Sequence, residues 1–283
     1  MFYHVSNDGV PRVCHATSPS KCPISKSGDL KEHFMDTVEA AKAYENHMES
    51  KNSKNILQKT KSSKNDSTGS FSYVDSDTVN LFKNKIQELY PLFKNYSHDY
   101  TNYNPDERPG EREFIENYNP KKYTDKDVSY TADNIILRVD PEDNVLKVLM
   151  IKRGGHPYKN HWAHPGGFID DIKDGTGSIM RSETRFEAAS RELKEETGMI
   201  VEPHQMDAVN VYKHHGRDPR MDVHMNTHVV LMDEEREFEA ADDATDAKYI
   251  PVSDIYSDKI DVAFDHKLSI KDALNFVIKS NKN

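Results

Sequence analysis

The densest chemistry in the chain lies in Arg191-Glu192-Leu193-Lys194-Glu195-Glu196-Thr197-Gly198. At 3.6 residues per turn, Glu192, Glu195 and Glu196 fall within about 100° of one another on a helix surface. Phe186, Ala189 and Leu193 form the adjoining apolar stripe. Each like-charged pair at these spacings costs a few tenths of a kcal/mol. A helix gains from crowding carboxylates beside its buried stripe only when something positive sits there. The candidates are a Lys/Arg cluster or a hard divalent cation, and oxygen-only donors suit Mg²⁺ or Mn²⁺ better than zinc. A lone Glu-x-x-Glu-Glu also describes a solvated acidic face, so the neighbouring residues must decide.

They do. Residues Glu183 through Met199 match every fixed position, from the first Glu onward, of the pattern G-x5-E-x7-R-E-U-x-E-E-x-G-U, with U aliphatic. The stretch resembles the Nudix box. Gly177 stands six residues before Glu183, while Trp162-Ala163-His164-Pro165-Gly166-Gly167-Phe168 is similar to the family's W-x-x-P-G-G-F approach to the box. On that alignment Gly167 is the counterpart of the first box glycine, and about ten extra residues, Asp170–Gly177 and their neighbours, sit in the box loop.

The resemblance implies an α/β protein with a Nudix-type α/β/α sandwich and a mixed sheet, and a hydrolase. Such enzymes use Mg²⁺ or Mn²⁺ and water to cleave a nucleoside diphosphate linked to another moiety. By position, Glu192, Glu195 and Glu196 would be metal ligands, with Gly167 beside them. Glu183 would assist a metal or its water, and Arg191 would orient the glutamates by salt bridging. The chemistry agrees, because a pyrophosphate is polyanionic and this chain carries a net charge of −10. A metal must then screen the phosphates and polarise the bridge.

Features outside the box resemble the ADP-ribose-pyrophosphatase-like members and the transcriptional regulators related to them. They are Val148-Leu149-Met150-Ile151-Lys152-Arg153 with His156-Pro157, Gly216-Arg217-Asp218-Pro219-Arg220, Ala241-Asp242-Asp243-Ala244 and Ala263-Phe264-Asp265-His266. That resemblance makes Arg153, Arg217 and Arg220, with Gly166 and Gly167, candidates for holding phosphates or ribose, where guanidinium forks suit bidentate contacts. Asp233–Asp246 offers eight acids, of which Asp242 and Asp243 are the candidates for base or water-orienting roles. Phe264-Asp265-His266 reads as packing and capping the last helix. Tyr158, His156 and Tyr212 are aromatics that could stack on adenine. Two functional classes remain. One is an enzyme cleaving ADP-ribose to AMP and ribose 5-phosphate, or acting on NADH, a dinucleoside polyphosphate, a nucleotide sugar or an oxidised nucleotide. The other is a Nudix-fold sensor without turnover. The retained glutamates, and the single helix after Phe264-Asp265-His266 where the regulators carry a winged helix, favour the enzyme.

The elements that must position these residues follow from periodicity. Asn134–Val139 and Val145–Arg153 read as strands of a hairpin around Asp140–Asn144. A helix follows over Glu183–Thr197 with Gly198 as its stop. Further strands are expected at Met206–His214, His224–Met232 and Ala247–Pro251, and a closing helix at about Lys267–Lys279. Upstream, Asp77 would cap a helix carrying Val79, Phe82, Ile86, Leu89 and Phe93, which Pro91 ends or kinks, and Tyr96–Tyr123 reads as irregular.

Residues 50–72 hold five lysines and one aspartate in a Ser/Asn/Lys-rich stretch, the composition of a tether. The expected organisation is a small segment at 1–49 with a helix near Met35–Glu49, a linker at 50–75, a helix and connection at 76–129, and the Nudix domain at 130–283. His4, Cys14, His15, Cys22 and His33 lack the tight pairs of a structural zinc site.

Apolar residues make up 35% of the chain, below the roughly 45–50% of globular averages. The longest nearly apolar run, Val145–Ile151, is far short of the roughly 20 residues of a membrane span, and the N-terminus lacks a signal-peptide pattern. Two cysteines exclude a disulfide scaffold. The expectation is a cytoplasmic protein that binds a nucleoside diphosphate-linked small molecule and neither membrane nor specific nucleic acid. Many family members dimerise, so a homodimer is a further expectation.

Overall fold

The computed structural model describes residues 2–5 and 11–14 along the backbone, and 71–124, 126–234, 236–241 and 244–280 in full. The expected helix at Met35–Glu49, most of the 50–75 linker, and the side chains of His4, Cys14, His15, Cys22 and His33 lie outside the described residues. The described residues fall into two units. One comprises residues 71–171 and 182–280 and holds the Nudix-box helix. The other contains β1 (Phe2–Val5) and β2 (Pro11–Cys14), which pair antiparallel, together with residues 172–181.

In the larger unit, α1 (Ser76–Phe93) and α2 (Glu111–Asn117) precede β3 (Val128–Val139), β4 (Leu146–Arg153), β5 (Trp162–Ala163) and β6 (Gly166–Phe168). The hairpin of β7 (Asp171–Lys173) and β8 (Ile179–Ser182), which lies mostly in the other unit, comes before α3 (Arg185–Thr197) in the chain. Then come β9 (Asp207–Tyr212), β10 (Asp222–Met232), β11 (Ala244–Pro251), α4 (Val252–Tyr256) and α5 (His266–Lys279). The strands order as β11-β4-β3-β10-β9, with β5 on β4 and β6 on β3. β10 runs parallel to β3 and the other neighbours are antiparallel, so the sheet is mixed.

Alternation along β3, β4 and β10 decides the layers. Ile135, Leu137, Val148, Met150, Val229 and Leu231 pack with α1 and α5 on one face. Ile136, Leu149 and Val230 meet Ala188, Ala189 and Leu193 of α3 on the other. Covered on both faces, these strands carry continuous apolar runs. Helices on both sides of a mixed sheet make the expected α/β/α sandwich.

Several boundaries differ from the sequence expectation. Asp75, not Asp77, caps α1, accepting from the Asp77 and Thr78 N–H groups at 2.8 Å each. Pro91 lies inside the last turn rather than ending the helix early. Phe71, placed by composition in the linker, is 2% exposed in the core, and its N–H donates to Asp207 Oδ2 at 3.0 Å. Residues 71–75 therefore belong to the folded unit, as do 76–129, because α1 packs on the same sheet through Phe82, Ile86 and Phe93. The stretch expected to be irregular contains α2 and 3-10 turns at Pro105–Glu107 and Pro120–Lys122. Glu111 of α2 is fully buried, accepting from Tyr103 Oη at 2.9 Å and the Tyr158 N–H at 2.8 Å, which ties this stretch to the turn after β4.

Two outcomes test this packing. Phe71→Ala is expected to cost about 3 kcal/mol in urea unfolding; a loss below ~0.5 kcal/mol would return residue 71 to the linker. His228 on β10 is fully buried against Phe186, and burial pushes its pKa down to about 4. The unfolded chain then protonates first, so this contribution to stability is complete above pH 6.5 and is lost as pH falls toward 4. His228→Leu is expected to flatten the stability–pH slope in that window by up to about one proton, and an unchanged slope would assign the linkage elsewhere.

Candidate active site

The site begins with how the sequence starts and stops α3. Thr184 Oγ1 accepts from the Glu187 N–H at 3.2 Å and Glu187 Oε2 accepts from the Thr184 N–H at 2.8 Å, a reciprocal cap. At the other end Gly198, at φ 70°, takes the left-handed conformation that terminates the helix. Asn134, buried in β3, fixes the helix against the sheet. Its Nδ2 donates to the Ala189 carbonyl at 2.8 Å, and its backbone N–H donates to the Pro165 carbonyl at 2.8 Å. One residue thereby holds both α3 and the Pro165-Gly166-Gly167 segment.

The extra box residues leave this arrangement intact. The Glu183 N–H donates to the Asp170 carbonyl at 2.8 Å, and the Asp170 N–H donates to Glu183 Oε2 at 3.1 Å. The chain leaves and re-enters at one closed point, and residues between form the β7–β8 hairpin rather than a loop.

Arg191 binds most of the acidic groups. Its Nε and Nη2 donate to the two carboxylate oxygens of Glu183 at 2.8 Å each, and Nη2 also reaches the Phe168 carbonyl at 2.9 Å. Nη1 donates to Glu192 Oε1 at 2.8 Å and Glu195 Oε2 at 2.9 Å. Glu196 is 6% exposed, and its Oε2 accepts from the Gly166 N–H at 2.8 Å. A side chain at Gly167 would displace the Glu192 carboxylate, since a Cβ there would lie 2.5 Å from Glu192 Oε1.

Glu192 and Glu196 open onto a cavity of about 330 Å³, within the range of small-molecule clefts. Arg153, Arg217, Arg220, Gly166 and Gly167 line the same cavity. Glu183 and Glu195 are not on its wall; Arg191 bonds both and also the lining residue Glu192. Asp242 and Asp243 lie outside the described residues, although the same loop returns the Glu239 and Ala241 N–H groups to the Thr197 and Glu196 carbonyls at 3.0 and 2.9 Å.

The arginines arrive already engaged. Arg217 is 6% exposed and grips Asp265 through Nε and Nη2, at 2.9 and 2.5 Å. Arg220 pairs with Asp218 at 3.0 and 2.7 Å, and Arg153 Nε donates to the Pro157 carbonyl at 2.8 Å. Asp265 stands at the N-cap position of α5 but makes no side-chain cap bond, and its neighbours Phe264 and His266 line the cavity. Phe264-Asp265-His266 is thus part of the cleft rather than a simple cap. Tyr158, His156 and Tyr212 do not line it. Tyr158 packs on Phe264, His156 Nδ1 meets Glu111 Oε2 at 3.1 Å, and Tyr212 donates to Asp272 at 2.7 Å.

Sequence reading missed Asp133, His164 and His266 as cavity residues. The available signal was an acid and an amide, Asp133-Asn134, interrupting an otherwise apolar strand. Burial pushes Asp133 up to about 7. It also pushes Glu192 up to about 7, outweighing the opposing pull of Arg191. Glu183, by contrast, is held below the usual carboxylate range by its hydrogen bonds from Arg191.

Among the described residues no three His, Cys, Asp or Glu groups converge into a ready-made metal cluster. The donor chemistry nevertheless fits a divalent cation. Glu192 and Glu196 are oxygen donors facing the cavity, Glu195 sits one turn after Glu192 and next to Glu196, and the missing Cβ of Gly167 leaves backbone space beside Glu192. Burial that disfavours the charge of Glu192 is offset when a cation is held there. Arg191→Lys keeps one charge but cannot span three carboxylates and a carbonyl. It is expected to weaken Mn²⁺ affinity, read by electron paramagnetic resonance, by about 10–100-fold; unchanged affinity would remove the orienting role.

Residues 130–272, about half of the chain, match the family model for the NUDIX domain. The chain is 36% identical over 131 residues to an ADP-ribose pyrophosphatase of Methanocaldococcus jannaschii, covering 46% of this chain and 67% of that protein. It is 30% identical over 110 residues to the ADPR responsive transcriptional repressor NtrR of Acinetobacter baylyi, covering 39% of this chain and 38% of that one. Among solved structures, the NUDIX domain of Shewanella oneidensis NrtR complexed with ADP ribose is 26% identical, with a TM-score of 0.45 over 58% of this chain and 97% of that one. With half its length matched by the family model and two thirds of a 36%-identical relative covered, the chain belongs to the Nudix hydrolase family, in its ADP-ribose pyrophosphatase-like subgroup.

Proposed function

We propose that the protein hydrolyses ADP-ribose to AMP and ribose 5-phosphate with Mg²⁺ or Mn²⁺. The observation that carries this reading is a single cavity whose wall combines Glu192 and Glu196 with Arg153, Arg217 and Arg220. The pyrophosphatase relative supports the choice of substrate.

In this reading Glu192, Glu195 and Glu196 hold the cation, with the Gly167 backbone beside them, and Glu183 acts through Arg191. When bound, the cation screens the diphosphate, polarises its bridge and makes water more acidic. Such help is needed because Arg217 and Arg220 are already neutralised by Asp265 and Asp218. The wall therefore has little spare positive charge for a polyanion. Arg153, whose Nε donates to the Pro157 carbonyl, stands on the same wall as the further candidate to contact a phosphate oxygen. Gly166 positions Glu196 through its N–H, and Arg191 prevents Glu192 and Glu195 from splaying apart. The cavity face of Phe168 and Phe264 supplies apolar surface for a sugar or base and limits water around the diphosphate. Asp242 and Asp243 remain the candidates for a base or a water-orienting group from the acidic loop.

The test is an Mg²⁺-dependent hydrolysis panel of ADP-ribose, NADH, diadenosine polyphosphates, nucleotide sugars and oxidised nucleotides. ADP-ribose is expected to give AMP and ribose 5-phosphate in equal amounts. Turnover confined to the other compounds would overturn the substrate assignment, and ADP-ribose binding without turnover would favour a sensor. In Glu196→Gln the amide oxygen can still accept from Gly166, so the fold should persist. Its kcat should fall by at least about 100-fold, more than loss of an outer partner causes, and near-normal kcat in saturating Mg²⁺ would remove Glu196 from the metal set.

A further inference from the structure

The carboxylates of α3 and the three arginines leave a second set of buried polar groups on the cavity wall without a role. Asp133, His164 and His266 are 6%, 1% and 4% exposed, and all three line the cavity. Hydrogen bonds fix the protons of both imidazoles. The His164 backbone N–H donates to His266 Nδ1 at 3.0 Å, so His266 carries its proton on Nε2. Ser269 Oγ donates to the His266 carbonyl at 2.9 Å and so accepts from His164 Nε2 at 2.7 Å. His164 Nδ1 is then a bare acceptor. The two rings stack at 4.5 Å with planes 8° apart, which holds the pair rigid, and burial keeps both neutral at pH 7.

His266 Nε2 points toward Asp133 but stops 3.5 Å from Oδ2, too far for a good hydrogen bond. Asp133 Oδ1 has no hydrogen-bond partner among the described residues, and neither has His164 Nδ1. Buried polar atoms are normally paired, so orphaned ones in a cleft wall mark where a ligand's polar atoms go. We propose that Asp133 and His266 form a subsite that reads a sugar hydroxyl of the nucleotide substrate, making the enzyme selective for ribose over deoxyribose. The proposal rests on the hydrolase reading and sharpens its substrate class.

The reason is complementarity. An N–H donor beside a carboxyl group asks for a partner that both accepts and donates, and a hydroxyl does both whether the carboxyl is ionised or protonated. A phosphate oxygen only accepts, and it would face an ionised Asp133 as a like charge. An ammonium only donates and would leave His266 unsatisfied. Water shares this chemistry, so the test must separate water from sugar.

The experiment compares ADP-ribose with analogues lacking the 2- or 3-hydroxyl of either ribose, using wild type, Asp133→Ala and Asp133→Asn. It measures kcat/KM in Mg²⁺ and, separately, Kd by calorimetry in EDTA. Wild type is expected to disfavour at least one deoxy analogue by about 100-fold in kcat/KM, because a site built around a hydroxyl rejects the compound lacking it. Asp133→Ala should lose that discrimination by weakening only the parent compound. Asp133→Asn, which keeps an acceptor oxygen and nearly the same shape, should retain part of it and carries the comparison if the alanine variant does not fold. Equal handling of all analogues by wild type overturns the proposal. So does an equal loss for every compound in Asp133→Ala, which would make the bound hydroxyl a water. ADP-ribose that binds in EDTA but is never hydrolysed defeats the hydrolase reading alone, since the ratio of dissociation constants still tests the subsite.

Discussion

The site depends on one guanidinium. Arg191 directs its N–H groups at Glu183, Glu192, Glu195 and the Phe168 carbonyl, all between 2.8 and 2.9 Å. Without that planar fork, Glu192 and Glu195, one helical turn apart, would repel each other and turn toward water. The same fork ties β6, Glu183 and α3 together, because its acceptors come from all three. A buried or half-buried cluster of acids is tolerable only when donors meet it, and here a single side chain supplies most of them.

The second constraint is close approach. The glycine segment must run against α3 so that Glu196 can accept from Gly166 and Glu192 can lie where a Cβ of Gly167 would be. Asn134 holds that distance by bonding to both sides at once. The sheet makes this possible: β3 is covered on both faces, and its polar residues are kept only where each has something specific to hold or face. Asp133 and Asn134 sit side by side, one turned to the cavity and the other to the helix.

Charge follows from the same economy of pairing. Arg217 with Asp265 and Arg220 with Asp218 are closed pairs in the wall, which also carries Asp133, Asp170, Glu192 and Glu196. In the proposed reading a divalent ion held by the α3 acids would screen a diphosphate brought to such a wall.

Much of this was legible in the order of residues. Local, periodic features were readable because they depend on near neighbours: the β3–β4 hairpin, α3 with its three glutamates, the Gly198 stop, and the glycine pair before the box. Other features were hidden because they join residues far apart in the chain. Phe71 looks like the end of a polar tether until Asp207 and Phe276 surround it. Asp265 looks like a helix cap until Arg217, 48 residues away, claims both its oxygens. His164 and His266 stack across 102 residues. Sequence by itself determined the family, the helix that bears the acids and the kind of ion they suit. Only the tertiary structure decided which acids face the cleft, which arginines are already paired and which buried atoms remain open to a ligand, because burial and pairing are set by distance in space and not by distance along the chain.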